Sequence, residues 1–200
     1  LAAKYPEKLE ELKSLFWAEA EKYNVTPLLG SLAIAWGLQS PETGRTVFRY
    51  SQGTENIAPG MIPSIYNRSY AISADLDIQR NTCLLWWCVG TDGVIVANGS
   101  FLGGFSLYVQ GGKLRHTYSF QGLKLDTITA SKPLPTGKVN VRYEFTADTP
   151  GKMATGGMSR LFVNDEQVAE GRIEHSVPLR FSGYAGMDIG RDNGGVVDLA

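Results

Sequence analysis

The chain has 200 residues, 43% of them hydrophobic and 20% charged, with a formal net charge of -1. That is an ordinary globular balance, and the length allows one full core, or one core with a short appendage. With no basic stripe and no run of like charge, a nucleic-acid partner held by its phosphates is not expected.

The chain opens Leu1-Ala2-Ala3-Lys4, without an initiator Met and without the charged-then-apolar order of a signal peptide. It stops abruptly at Asp198-Leu199-Ala200, and both ends read as cuts in a longer protein. Residues 5–23 form the one convincing helix. Pro6 suits the first turn, where its missing N–H costs nothing. Glu7, Glu10 and Glu11 lie near the positive end of the helix dipole and Lys22 near the negative end. Leu9, Leu12, Phe16, Ala20 and Tyr23 recur at helical spacing on one stripe, with Trp17 off it. That amphipathic stripe needs a partner surface, and it is too short to argue for a zipper.

Residues 25–64 are rich in Gly, Pro, Ser and Thr, with a candidate first strand at 46–50 and a long loop at 53–64. The most apolar stretch, Leu28 to Leu38, is too short to span a bilayer, so no membrane span is expected. From Tyr70 onward strand signals recur every several residues. Tyr70 to Ile78 alternates, with Ile72, Ala74, Leu76 and Ile78 inward. Further strands are expected at 93–98, 105–110, 114–120, 126–131, 138–146, 159–164 and 167–172. Gly111-Gly112 makes a two-residue hairpin turn, and Asn164-Asp165-Glu166 a second hairpin. Closely spaced strands without helical interruption predict a mainly β chain: an antiparallel sandwich or barrel. The expected organisation is residues 1–26 as a helical segment, 27–66 as linker and loop, and 67–200 as the β domain.

Cys83 and Cys88 sit in Cys83-Leu84-Leu85-Trp86-Trp87-Cys88. Read as one strand, that run puts the two thiols on opposite faces, which makes a disulfide awkward and two buried apolar residues the plainer reading. Phe105, Tyr108, Tyr118, Phe120, Tyr143, Phe145 and Phe162 dot the strands. Exposed, they would be sugar platforms; the plainer reading is core filling and cross-strand pairs.

His116 and His175 lie in different segments, neither beside a carboxylate or a thiol that would make a catalytic pair. The sequence has no HExxH, CxxC or phosphate-binding loop, and the Gly-rich run 99–104 leads into a strand where a phosphate cradle needs a helix. Asp188, Asp192 and Asn193 fall in a Gly-rich loop whose carboxylates, amide and free carbonyls suit Ca²⁺; an ordinary turn after a strand explains the same residues. Asn24, Asn67 and Asn98 each begin an N-glycosylation triplet, a pattern that arises readily by chance.

Taken in order, several segments resemble the C-terminal region of bacterial-type arylsulfatases. They are Leu1 to Leu9, Lys22-Tyr23-Asn24-Val25, Asn67-Arg68-Ser69-Tyr70, Phe101 to Val109, Pro133-Leu134-Pro135-Thr136-Gly137-Lys138 and Gly190-Arg191-Asp192. The resemblance covers nearly the whole chain. It implies a late helix that follows a catalytic α/β domain, then an appended sandwich of the concanavalin- or laminin-G-like jelly-roll kind. It also implies a periplasmic or secreted parent that hydrolyses sulfate esters with a formylglycine residue and Ca²⁺. Formylglycine arises from Cys or Ser in a C/S-x-P-x-R motif. Ser131-Lys132-Pro133-Leu134-Pro135 has Pro where the Arg must stand, and neither Cys83 nor Cys88 begins such a motif. No catalytic residue is therefore expected here, and no cofactor within the 200 residues.

Two departures from the family stand out. Residues 83–89 look like an insertion, and the domain's usual last strand is missing. Its absence would leave an unpaired edge, to be filled by the chain's own continuation or by a second copy in a homodimer. The expected role is a non-catalytic accessory region that shapes or shields the active-site rim of the catalytic sulfatase domain. The alternative is a carbohydrate-binding module presenting a sulfated glycan, which would display a row of exposed aromatics on a concave sheet.

Overall fold

The computed structural model of the protein describes residues 2–23, 25, 44–58, 61–79, 82–84, 87–89 and 91–198. The chain divides into two compact units, residues 1–43 and residues 44–200. In the first, helix α1 spans Pro6–Lys22, with Pro6 in its first turn, Glu7 at its start and Lys22 at its end. Tyr5 caps it without a side-chain hydrogen bond. Of the expected stripe only Ala20 is buried, while Leu12, Phe16 and Tyr23 are exposed.

The second unit is a β-sandwich of two antiparallel sheets, with a separate short hairpin. The four-stranded sheet runs in the order β1 (Tyr70–Ile78), β8 (Gly137–Ala147), β9 (Gly157–Val163), β10 (Glu166–Ile173). The five-stranded sheet runs β11 (Met187–Ile189), β4 (Gly93–Ser100), β5 (Gly103–Gln110), β6 (Lys113–Phe120), β7 (Lys124–Thr129). The hairpin pairs β2 (Thr82–Leu84) with β3 (Trp87–Val89).

Every strand expected from Tyr70 onward forms, with β1 at the predicted limits. Period-2 alternation places Val139, Val141, Tyr143 and Phe145 of β8 against Phe105, Leu107 and Val109 of β5 and Leu114 and Tyr118 of β6. Each large side chain so buried stabilises the fold by about 1.5–3 kcal/mol. Three expectations change. No strand forms at 46–50. Val47 there is 67% exposed, and Phe48 is only half-buried. The following segment instead lies along β11: Gly53 N–H donates to the Ile189 carbonyl at 3.3 Å, Ile189 N–H to Thr54 at 2.9 Å, and Ile57 pairs with Met187. The Cys83–Cys88 run is also not one strand. β2 and β3 pair antiparallel within it, and the backbone register sets Cys83 opposite Cys88. Finally, β7 starts and ends two residues before its predicted place, at Lys124–Thr129.

Turn chemistry fixes the two ends of the sandwich. At one end Gly111 (φ 59°) and Gly112 (φ 72°) form the two-residue turn, where left-handed backbone demands glycine. The Asp92 carboxylate accepts from both of their N–H groups, at 2.9 and 3.0 Å. Asn164 and Asp165, also at positive φ, make the other hairpin turn at this end. Residues 130–136 cross between the sheets here, tied by Ser131 N–H to the Val168 carbonyl (3.2 Å) and Leu134 N–H to Gly112 (2.8 Å).

At the opposite end lie the β4–β5 turn, the β6–β7 turn, the 148–156 loop and the 174–184 segment. Ser176 N–H donates to the Thr155 carbonyl at 3.1 Å and Ser182 N–H to Gly103 at 2.8 Å. Val177 N–H donates to the Tyr118 hydroxyl at 2.7 Å. Asn67 braces this end: its amide donates to the Pro178 carbonyl at 2.5 Å and its Oδ1 accepts from Ala154 N–H at 3.0 Å.

Along one side the sheets meet at β7 and β10, so closely that a Cβ on Gly171 would lie 2.8 Å from Ile128 Cγ1. Along the other side, the outer edge of β1 carries no paired strand among the described residues. Its inward residues Ile72, Ala74 and Leu76 are only half-buried, unlike those of β8 beside it.

Candidate functional site

β11 brings the expected acidic loop against the five-stranded sheet. Asp188 is buried, 2% exposed, and both of its oxygens accept backbone N–H groups: Oδ1 from Asn56 at 2.5 Å and Oδ2 from Asn193 at 3.1 Å. Asp192 Oδ2 accepts from Val197 N–H at 3.0 Å. The Asn193 side-chain amide donates to Glu55 Oε2 at 3.4 Å, and Arg191 pairs with the same carboxylate at 3.1 Å. The three expected residues thus stand together, and each holds a neighbouring segment. Burial pushes the Asp192 carboxyl above its usual range; the Val197 N–H opposes this, and the nearby charges of Asp188 and Asp198 add to it. Among the described residues, no three His, Cys, Asp or Glu side chains converge as a metal-ligating group.

The sequence reading missed where this loop leads. Alternation puts Ser106 and Tyr108 of β5, Thr117 and Ser119 of β6 and Thr127 of β7 on the outer face of the five-stranded sheet. Ser106, Tyr108, Thr117 and Ser119 are nevertheless buried. The 191–198 segment lies over them: the Val196 carbonyl accepts from Phe101 N–H at 3.0 Å, and Val197 is buried. Asp198 Oδ2 accepts from the Tyr108 hydroxyl at 2.6 Å and from Thr117 Oγ1 at 3.0 Å, and Thr117 in turn lies 3.0 Å from Thr127 Oγ1. Burial, then the bond to Asp198, pushes the Tyr108 hydroxyl above its usual range. A run of hydroxyls at alternate positions was the only sequence signal for this, and it reads equally as a solvated face.

The two histidines do unrelated things. His116 is fully buried in the core, stacked on Tyr143 with ring centroids 3.8 Å apart and flanked by Phe105 at 5.9 Å. Neither ring nitrogen has a hydrogen-bond partner among the described residues. Burial lowers its pKa to about 3, so the ring is neutral at any ordinary pH. His175 is exposed and packs against Phe120.

Of the seven strand aromatics, Phe105, Tyr108, Tyr118, Tyr143 and Phe145 are buried. Phe162 faces outward on the four-stranded sheet under the Arg142 guanidinium, 4.3 Å from the ring centroid. Around it that face is a lattice of ions, with Arg142 bound to Glu144 and Arg160 near Glu170 at 3.7 Å. The half-buried Asn67 has its amide committed to the Pro178 carbonyl, and Asn98 is 3% exposed and so not offered to solvent as a glycosylation site would require. Asn24 lies outside the described residues. No helix of the described residues is long and apolar enough to cross a membrane. Comparison with family models, curated proteins and solved structures returned no match.

Proposed function

We propose that this chain is a non-catalytic accessory region of a sulfatase, whose jelly-roll sandwich shapes or shields the rim of the parent's active site. One observation carries this over the carbohydrate-binding alternative: neither outer sheet face presents a row of exposed aromatics among the described residues. One face is an ion lattice around Phe162, and the other is a hydroxyl-bearing surface under the chain's own 191–198 segment. In this reading α1, with Leu12, Phe16 and Tyr23 exposed, is the surface that packs on the catalytic domain. The formylglycine and Ca²⁺ of sulfate-ester hydrolysis belong to that domain. A further strand, from the parent chain or a second copy, adds to the outer edge of β1.

The 200-residue chain incubated with an aryl sulfate is expected to give no turnover above buffer, and turnover would overturn the reading. The coding sequence upstream of Leu1 is expected to contain a C/S-x-P-x-R motif. Selective retention of a glycan by the isolated chain would favour the carbohydrate-binding alternative. Light scattering separates the two sources of the added strand, since a dimer mass marks a second copy.

A further inference from the structure

The two ends of the sandwich are built from different residues. At the end that carries Gly111-Gly112, from which the β2–β3 hairpin also leaves, the turns present, among the residues whose side chains are described, Asp92, Lys132, Asn164, Asp165 and Glu166, mostly the polar residues that tight turns ordinarily use. At the opposite end the turn tips are large and apolar. Leu123 is 80% exposed, Met153 60%, Leu179 57%, Phe101 47% and Leu102 43%. They come from four separate stretches that packing brings together. A Cβ on Gly122 would lie 3.2 Å from Leu102 Cδ2, which sets the β4–β5 and β6–β7 turns side by side. The bonds of Ser182 to Gly103 and of Ser176 to Thr155 add the 174–184 segment and the 148–156 loop.

Isolated exposed apolar residues need no explanation, but a set of them on neighbouring loop tips marks a contact surface. The turns do not need these side chains for their own geometry, because the left-handed positions among them are taken by Gln121, Gly122, Gly151 and Ala154. Nor does the core need them, since they point away from it.

The charges at this end say what the surface fits. Arg68, Lys152 and Arg180 are exposed, and none of them is in an ion pair among the described residues. Of the carboxylates on these loops, Asp148 and Glu174 pair with Arg172, at 2.5 and 3.2 Å, and Asp126 with Lys124 at 3.1 Å, while Asp188 and Asp192, on the segment that runs past Phe101, are held by backbone N–H groups. Apolar tips ringed by free cations suit a surface with an anionic outer layer over an apolar interior. We infer that this loop end is a lipid-docking surface that inserts Phe101, Leu102 and Leu123 into an anionic bilayer while Arg68, Lys152 and Arg180 meet the headgroups. The physics is that of peripheral attachment, in which apolar area and electrostatic attraction add. The inference does not depend on the sulfatase reading.

The test is sedimentation of the 200-residue chain with vesicles of phosphatidylcholine alone and of phosphatidylcholine mixed with phosphatidylglycerol. Binding is expected to the mixed vesicles, to be weaker on the neutral ones, and to weaken with salt. The variant Phe101→Ser with Leu123→Ser is expected to lose about tenfold or more in affinity. Lys152→Glu with Arg180→Glu is expected to lose about tenfold on mixed vesicles and little on neutral ones. All four positions are exposed, and circular dichroism of each variant checks the fold. Absence of binding to mixed vesicles overturns the inference and leaves the end as a protein-facing surface. Binding that survives both double variants also overturns it, because attachment then lies elsewhere, with the exposed Leu12, Leu15, Phe16 and Trp17 of α1 the obvious place.

Discussion

His116 gives the sandwich a specific acid sensitivity. Its ring sits between the sheets with both nitrogens unpartnered, and burial lowers its pKa from 6.5 to about 3. Above about pH 6.5 the imidazole is neutral in the folded and unfolded chain alike, and stability is undiminished. As pH falls below that value the unfolded chain takes up a proton that the folded chain refuses, so the unfolded state gains. The loss is about 1.4 kcal/mol per pH unit, close to 2 kcal/mol by pH 5 and about 4 kcal/mol by pH 3, levelling off at about 5 kcal/mol below that. Urea unfolding at several pH values between 7 and 5 measures this. His116→Phe keeps a flat ring against Tyr143 and removes the titrating group. The variant should be more stable at pH 7 by about 1–3 kcal/mol, since the unpaired buried nitrogens are gone. The decisive quantity is the difference in stability between the two proteins as a function of pH, because the carboxylates contribute equally to both. That difference should widen by about 2 kcal/mol between pH 7 and pH 5. A constant difference across that range would mean that His116 does not carry this acid sensitivity.

Asp188→Ala leaves the N–H groups of Asn56 and Asn193 without their acceptor; chemical denaturation should register a loss of about 2–4 kcal/mol. Since both Asp188 oxygens already hold backbone donors, thermal melts with Ca²⁺ and with a chelator should give the same Tm; a rise with Ca²⁺ that Asp192→Asn abolishes would establish the loop as a cation site. Asp198→Ala unfastens the 191–198 segment from Tyr108 and Thr117, so hydrogen exchange in β5 and β6 should quicken there while the inner face stays protected. Gly171→Ala forces a methyl group against Ile128 where β10 meets β7 and should cost about 1–3 kcal/mol in urea unfolding.

Features that depend on neighbouring residues are legible in the chain alone. Alternation set β1 at Tyr70–Ile78, because only that register turns Ile72, Ala74, Leu76 and Ile78 to one side. Gly111-Gly112 determined a hairpin, because two consecutive left-handed residues tolerate little else. Pro6 and the acidic first turn determined where α1 begins. The expected acidic loop was also legible, as three residues close in sequence that stay close in space.

What lies across a face comes only from packing. Period 2 says that Ser106, Thr117 and Ser119 point out of the sheet, but not that residues 191–198 come back to cover them; that contact joins positions some eighty residues apart. The same limit hid the burial of His116, whose inward position was readable while its neighbours on β8 were not. β11 is three residues long and carries no pattern of its own; its pairing with Val96 to Asn98 defines it. At Cys83–Cys88 two short paired strands stand where a single strand was one reading, because a short apolar run does not say whether it pairs with itself. Whether a polar residue solvates a surface or holds two segments together is a property of the partner that packing supplies, and Asp188 and Asp198 acquired theirs only in the fold.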